Sequence, residues 1–187
     1  MKTIGFAFCG SFCTFRKTMD ILKQLAESYE IVPIFSPASY STDSRFGTAE
    51  SWQKEAAEIC GREPLHTIEE VEPFGPRKLL DLLVIAPCTG NTLGKLANGI
   101  ADTSVTLACK AHLRNGRPVV LAVSTNDGLA ANAENIGKLL NRKHYYFVPF
   151  GQDSPQGKPY SLVADMALLP QTVDAALRGA QIQPILL

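Results

Sequence analysis

The chain has 187 residues, 45% of them hydrophobic, with 18 basic and 18 acidic side chains. That size and mix suit one globular domain with a real core. The even charge balance gives no electrostatic reason to expect nucleic acid or an anionic membrane as partner.

No apolar run is long enough to cross a bilayer, and the opening "MKTIGFAFCGSF" reads as a core strand rather than a secretory leader. Five Cys, an odd number, fit reduced thiols in a reducing compartment, so the cytosol is the expected location. Cys9 and Cys13 lack the spacing of a zinc knuckle, and His66, His112 and His144 are scattered, so no metal is expected.

The first strand is "TIGFAFCG", a continuous apolar run ending in Gly, as a strand buried on both faces requires. A helix is predicted over "TFRKTMDILKQLAES", where Met19, Leu22, Leu25 and Ala26 recur at helical spacing. "EIVPIFS" is a second strand, in which Pro33 is awkward. "PASYSTDSRFGT" reads as loop, and "AESWQKEAAEICG" as a helix stopped by Gly61. "PLHTI" suits a short edge strand, and "EEVEPFGPRK" a turn-rich connector.

"LLDLLVIAP" is the next strand and "NTLGKLANGI" the next helix. "DTSVTLACKAHLRNG" is a helix capped by Asp102 or Thr103 and ended by Gly116. Its residues are apolar or small around much of its circumference, more than one buried face needs, which predicts self-association. Then come a strand, "RPVVLAVS", a helix, "GLAANAENIGKLLNRK", and a strand, "HYYFVPF". A Gly- and Pro-rich loop, "GQDSPQGKPYS", leads to "LVADMALLPQTVDAALRGA", read as a helix broken or restarted near Pro170.

Strands and helices alternate throughout. The pattern predicts a single α/β domain over 1–187: three layers, doubly wound, with a mainly parallel sheet. In such sheets ligands bind beyond the carboxyl ends of the strands, where the strand order switches. The loops leaving those ends are "CGSFCT", "SPASYS", "PCTGNT" and "STNDG". Gly10 and Ser11 feed a helix N-terminus, whose free N–H groups and partial positive charge suit phosphate. The loop is neither a dinucleotide fingerprint nor a P-loop, and an ordinary turn with a Ser cap is the alternative. Asn91 or Thr92 caps the following helix, yet "PCTGNT" holds more small polar groups than a cap needs. Such a loop suits the polar edge of an aromatic ring system.

"IAPCTGNTLGKLANGIADT" closely resembles the "APxSANTxxKxAxGxxDN" stretch of the flavin-dependent cysteine decarboxylase superfamily, and "GSFCTFR" looks like that group's "TGSxAAxK" phosphate loop. The resemblance implies a Rossmann-like fold that binds FMN between subunits of a trimer. It implies phosphate contacts from Gly10, Ser11 and Ser36 or Ser39. It places Pro87, Cys88, Thr89, Asn91 and Thr92 along the isoalloxazine, and Ser124 and Thr125 complete the pocket. The longer stretch from Glu72 to Pro159 is similar to the small subunits of two-subunit synthases that aromatise a dihydropyridine dicarboxylate. That similarity implies a partner subunit carrying nicotinamide, with the hydride going to flavin or to nicotinamide.

The pattern departs from the decarboxylases at three chemical positions. Their His falls here around Pro73, and His66, upstream, reads as a solvent-facing or edge-strand residue. Their Pro-Ala-Met-Asn motif is replaced by "VSTNDG", where Asn126 can stand for the Asn. Their clamp Cys has no counterpart in "PFGQDSPQGKPYS". Cys88 has no His near it in sequence and, buried and neutral, makes a poor nucleophile. Cys109 reads as core. A dicarboxylate needs cations, and Lys158, Lys95, Arg16 and Lys17 are candidates. The expected function is therefore an oxidoreductase subunit. A stand-alone flavin-dependent decarboxylase and a non-catalytic structural or regulatory subunit are the rivals.

Overall fold

The apolar runs build the sheet in the computed structural model, which describes residues 1–187. The chain opens with β1 (Thr3–Phe8) and enters α1 (Phe15–Ala26) through a 3-10 turn at Phe12–Thr14. β2 (Glu30–Phe35) is followed by α2 (Pro37–Ser41), α3 (Ala49–Cys60), α4 (Ile68–Val71) and α5 (Phe74–Arg77). β3 (Leu82–Cys88) leads to α6 (Gly90–Ala97) and α7 (Ser104–Leu113), and β4 (Val119–Thr125) to α8 (Ala133–Leu140). β5 (Tyr145–Phe147), β6 (Phe150–Gly151) and β7 (Leu162–Ala164) precede α9 (Leu169–Ala176).

The strand order is β2-β1-β3-β4-β7-β6, with β5 also on β4. Pairings from β2 through β1, β3 and β4 to β5 are parallel, whereas β7 runs antiparallel to both β4 and β6. The chain moves outward from β1 to β2, then returns across β1 to lay down β3. The order thus switches between β1 and β3, and both loops singled out by their small polar residues leave the sheet there. β1, β3 and β4 are buried nearly end to end, as strands covered on both faces must be. α1 packs with α3 and α9, while α7 packs with α4, α5 and α6.

Pro33 sits in β2 without loss. The N–H of Leu65 donates to the Pro33 carbonyl (2.9 Å) and that of Phe35 to the Leu65 carbonyl (2.7 Å). Alternate residues of a strand present their backbone groups to the same side, so the missing Pro33 N–H faces the outer edge rather than β1. Leu65 makes only an isolated bridge there, so "PLHTI" is not the short edge strand expected of it.

Several expectations need correction. The stretch after Ser36 is not all loop: Pro37 opens a five-residue helix whose N-terminus Ser36 caps. "EEVEPFGPRK" contains two single-turn helices, α4 and α5. "HYYFVPF" is two strands with different partners, β5 on β4 and β6 on β7. "LVADMALL" begins as strand β7, where Leu162 and Ala164 are buried and Val163 is half-buried. Its ladder partners, Ser124 and Thr125, lie far back in sequence, and a remote partner leaves no local signal. The apolar circumference of α7 is used within the chain: Val105, Ala108, Cys109 and Ala111 are buried between the sheet and α4 to α6. That helix gives no reason to expect self-association. No helix is long and apolar enough to cross a membrane.

His112, on α7, is buried and donates from Nε2 to the Pro118 carbonyl (3.0 Å). Burial pushes its pKa down to about 4. The unfolded chain protonates this imidazole near its ordinary value while the folded chain resists, so its contribution is complete above about pH 6.5 and fades as pH falls toward 4. Chemical denaturation of wild type and His112→Gln at pH 7 and pH 4.5 checks this. The wild type should lose about 2 kcal/mol more than the variant across that interval.

Candidate functional site

The first wall of the site is the end of β1. Ser11 N–H donates back to the Cys9 carbonyl (2.8 Å), which turns the chain sharply. Ser11 precedes the helical turn but makes no capping bond with its side chain. Its hydroxyl instead shares a hydrogen bond of 2.7 Å with that of Ser124, at the end of β4. The ordinary Ser cap is therefore not what this turn contains. The first N–H groups of the turn, from Phe12 and Cys13, have no carbonyl one turn earlier to bond.

The second wall is the end of β3. Thr89 caps α6, accepting from the Thr92 N–H (3.3 Å). The sequence left that role to Asn91 or Thr92. With Thr89 in it, Asn91 is exposed and its amide makes no hydrogen bond within the chain. Thr92 turns inward, and its hydroxyl donates to the Cys9 sulfur (3.2 Å), tying the β3 loop to the end of β1.

The third wall follows β4. Asp127 Oδ1 accepts from the Thr125 hydroxyl (2.5 Å), and its two oxygens accept from Asn132 Nδ2 at 2.9 Å each. The Asp127 carbonyl accepts from the N–H groups of Ala130 and Asn132, so the chain turns here and α8 starts later than its sequence pattern suggested. Gly90 lies against this cluster. A Cβ on it would stand 2.4 Å from Asn132 Nδ2 and 2.6 Å from Thr125 Oγ1, so only glycine fits.

These walls enclose a groove with two lobes. The larger, about 590 Å³, is lined by Gly10, Ser11, Thr89, Asn91, Ser124 and Thr125, with Asn126 and Lys158 among the others. The smaller, about 350 Å³, shares Gly10, Thr89 and Asn91 and adds Ser36, Thr92, Lys95 and Thr103. Lys95 also pairs with Asp102 at 2.8 Å, and Lys158 lies 3.6 Å from Asp153.

Five of the residues expected here stand elsewhere. Ser39 is buried beneath α2 and donates to the Phe8 carbonyl (2.8 Å). Pro87 and Cys88 are buried within β3, below the groove. Burial pushes the Cys88 thiol well above its ordinary range, which removes it as a nucleophile. Arg16 turns to α3, where it pairs with Glu55 and stands over the Trp52 ring. Lys17 lines a separate groove with Asp20 and Ile21. His66 stacks flat on Tyr40, with ring centres 3.7 Å apart, and lines neither lobe. Cys109 is core, with its thiol pushed up to about 12 by burial.

Sequence reasoning missed Arg45, Phe46, Asp127, Asn132 and Asp153, all of which line the larger lobe. The Gly in "SRFGT" hinted at a turn, but nothing local showed which way that turn points.

A model of the family described as Flavoprotein matches residues 1–169. A dipicolinate synthase subunit of Bacillus subtilis (strain 168) is 46% identical over 186 residues, 99% of this chain and 93% of that protein. A crystal structure of the corresponding dipicolinate synthase subunit from Bacillus halodurans C matches with a TM-score of 0.91 and 44% identity, covering 100% of this chain and 96% of the other. The FMN-dependent cysteine decarboxylase SpaF shares the fold at a TM-score of 0.68 and 19% identity, over 94% and 97% of the two chains. Matched over most of its length by that family model and nearly end to end by the Bacillus relatives, the chain belongs to the Flavoprotein family.

Proposed function

We propose that this chain is the flavin-binding-type subunit of a dipicolinate synthase, supporting oxidation of dihydrodipicolinate to dipicolinate during sporulation. Its partner is the other dipicolinate synthase subunit, which carries nicotinamide, and its place is the cytoplasm of the mother cell. Likeness to the corresponding synthase subunits of two Bacillus species supports the reaction. The observation that carries the reading is the groove itself, where neutral hydrogen-bonding groups and cations meet at the strand-order switch.

The groove's donors fit FMN. The smaller lobe is lined by hydroxyls of Ser36, Thr89, Thr92 and Thr103, the Asn91 amide and Lys95, with no carboxylate on its wall. The hydroxyls already bond within the chain, so the donors on offer to a phosphate and its sugar-alcohol chain are the Asn91 amide and the Lys95 ammonium, the latter shared with Asp102. Gly10, Ser11 and Ser36 would hold the phosphate beside the helix N-terminus. Asn91, with a free amide, would face the ring's polar edge, with Thr92 behind it tying the loop to Cys9, and Ser124 and Thr125 would close the far side. FMN, when bound, supplies a two-electron acceptor. The chain's own part is to bind and orient. Lys158, Lys95 and Asn126 offer donors to the anionic substrate, and Asp127 is engaged by Thr125 and Asn132. Nothing in the groove favours a stand-alone cysteine decarboxylase. His66 is stacked elsewhere, and the thiol that lines the larger lobe, Cys13, comes from the β1 loop rather than from residues 151–161.

Part of the groove's lip is apolar and exposed. Phe46 lines the larger lobe, and Leu129 and Tyr160, close in sequence to the lining residues Asp127 and Ser161, meet through a bond from the Leu129 N–H to the Tyr160 carbonyl (2.9 Å); all three side chains are about half exposed. Such a lip suits a covering chain, and self-association into a trimer-based assembly is part of this reading. Sedimentation velocity at micromolar concentration should show an oligomer, and a monomer alone would remove this part.

FMN titration by fluorescence quenching tests the pocket. A buried hydrogen bond left unmade costs about 1–3 kcal/mol, so Asn91→Leu should weaken FMN binding by about one to two decades. Because Thr89 rather than Asn91 caps α6, the melting temperature should hardly move. Asn141→Leu, at the exposed end of α8, should leave FMN affinity unchanged.

Reconstitution tests the reaction. This chain mixed with its nicotinamide-carrying partner should form dipicolinate from dihydrodipicolinate at a rate neither protein reaches alone. Removal of FMN should lower that rate, and a rate indifferent to this chain would refute the assignment.

A further inference from the structure

The larger lobe is lined by four charged residues: Arg45, Asp127, Asp153 and Lys158. Asp127 is engaged by Thr125 and Asn132, and Asp153 lies 3.6 Å from Lys158. Arg45 has no carboxylate partner and makes no hydrogen bond with its side chain. It is the cation of this lobe whose donors are all unused.

Its position is built rather than incidental. Arg45 and Phe46 form the tip of a tight turn. Ser44 N–H donates to the Gly47 carbonyl (3.0 Å) and Gly47 N–H to the Ser44 carbonyl (3.1 Å). Phe46 N–H donates to the Ser44 hydroxyl (3.2 Å), and Ala49 N–H to Asp43 Oδ1 (2.8 Å), which pins the turn to the start of α3. Gly47 has φ +152° and lies on the buried Trp52 indole, where a Cβ would stand 2.7 Å from Nε1. The turn therefore seats on Trp52 through the one residue type that fits, and its tip is held at the groove.

At the tip, the Arg45 guanidinium carbon lies 4.9 Å from the centre of the Phe46 ring. The guanidinium thus stands over the Phe46 ring with none of its N–H groups spent on a bond within the chain. That arrangement suits two parallel hydrogen bonds to a carboxylate. Lys158 offers the same groove a second, compact positive charge.

We propose that Arg45 receives one carboxylate of the substrate and sets the groove's preference for a dicarboxylate over a monocarboxylate; the assignment rests on the synthase reading above. Lys158, the other cation lining that lobe, takes the second carboxylate, and the Phe46 ring offers a flat apolar surface to a planar ring.

The test uses the complex of this chain with its nicotinamide-carrying partner, in wild-type, Arg45→Gln and Arg45→Lys forms. Three quantities are measured: KM and kcat for the dihydro-dicarboxylate, FMN affinity, and calorimetric binding of dipicolinate against picolinate, which lacks one carboxylate. Arg45→Gln should raise KM about 10- to 100-fold, with kcat and FMN affinity within about twofold. The preference for dipicolinate over picolinate should fall by a similar factor. Arg45→Lys keeps the charge but loses the fork, and should recover only part of the binding. Unchanged KM and unchanged preference in an active complex would overturn the assignment alone. A fall in FMN affinity that matches the rise in KM would also overturn it, by placing Arg45 on the flavin phosphate. A wild-type complex that makes no dipicolinate overturns the synthase reading, and this assignment falls with it.

Discussion

The groove depends on a contact that leaves no room for a side chain. Gly90 starts α6 directly against the cluster in which Thr125 and Asn132 converge on Asp127. Any larger residue would push the β3 loop away from the β4 loop. Asn91 would then leave the wall it shares with Ser124 and Thr125. A second tie, from the Thr92 hydroxyl to the Cys9 sulfur, fixes the same loop to the end of β1. Three strand ends that are remote in sequence are thus held in one surface by a few polar contacts, each seated on a buried parallel ladder. The scaffold is rigid where the site needs rigidity.

Much of the fold was legible because the long elements repeat their signal. β1, β3 and β4 are unbroken apolar runs, and α1 repeats its apolar positions at helical spacing. Short elements repeat nothing. β7 has three residues, and its strand character comes from pairing with Ser124 and Thr125 on one side and Phe150 and Gly151 on the other. α7 misled for the opposite reason: its apolar circumference is real, but the sheet on one side and α4 and α5 on the other both cover it within one chain.

The site was legible to the same depth. Residues at strand ends, such as Ser11, Asn91 and Ser124, could be placed because a βα turn fixes where its first residues point. Depth below the surface could not be read, so Pro87, Cys88 and Ser39 were placed too high. Competition for a charge could not be read either. Arg16 follows the first loop in sequence, but Glu55 claims it from α3. Arg45 was overlooked because its turn is defined by hydrogen bonds between Ser44 and Gly47 and by the Trp52 ring beneath, none of which has a sequence period.

β4 carries two different neighbours along its far side. β5 runs parallel to Val119–Leu121, and β7 runs antiparallel to Ser124 and Thr125. The wall that bears Lys158 and Ser161 therefore joins β4 through a two-residue ladder, while β1, β2, β3 and β4 are held to one another by longer ones. Resistance to opening scales with the contacts that must be broken together. Buried Leu162 and Ala164 add side-chain packing to that short ladder, so the loop carrying Lys158 is clamped where it re-enters the sheet, and its reach into the groove is set by two β4 residues that themselves line it.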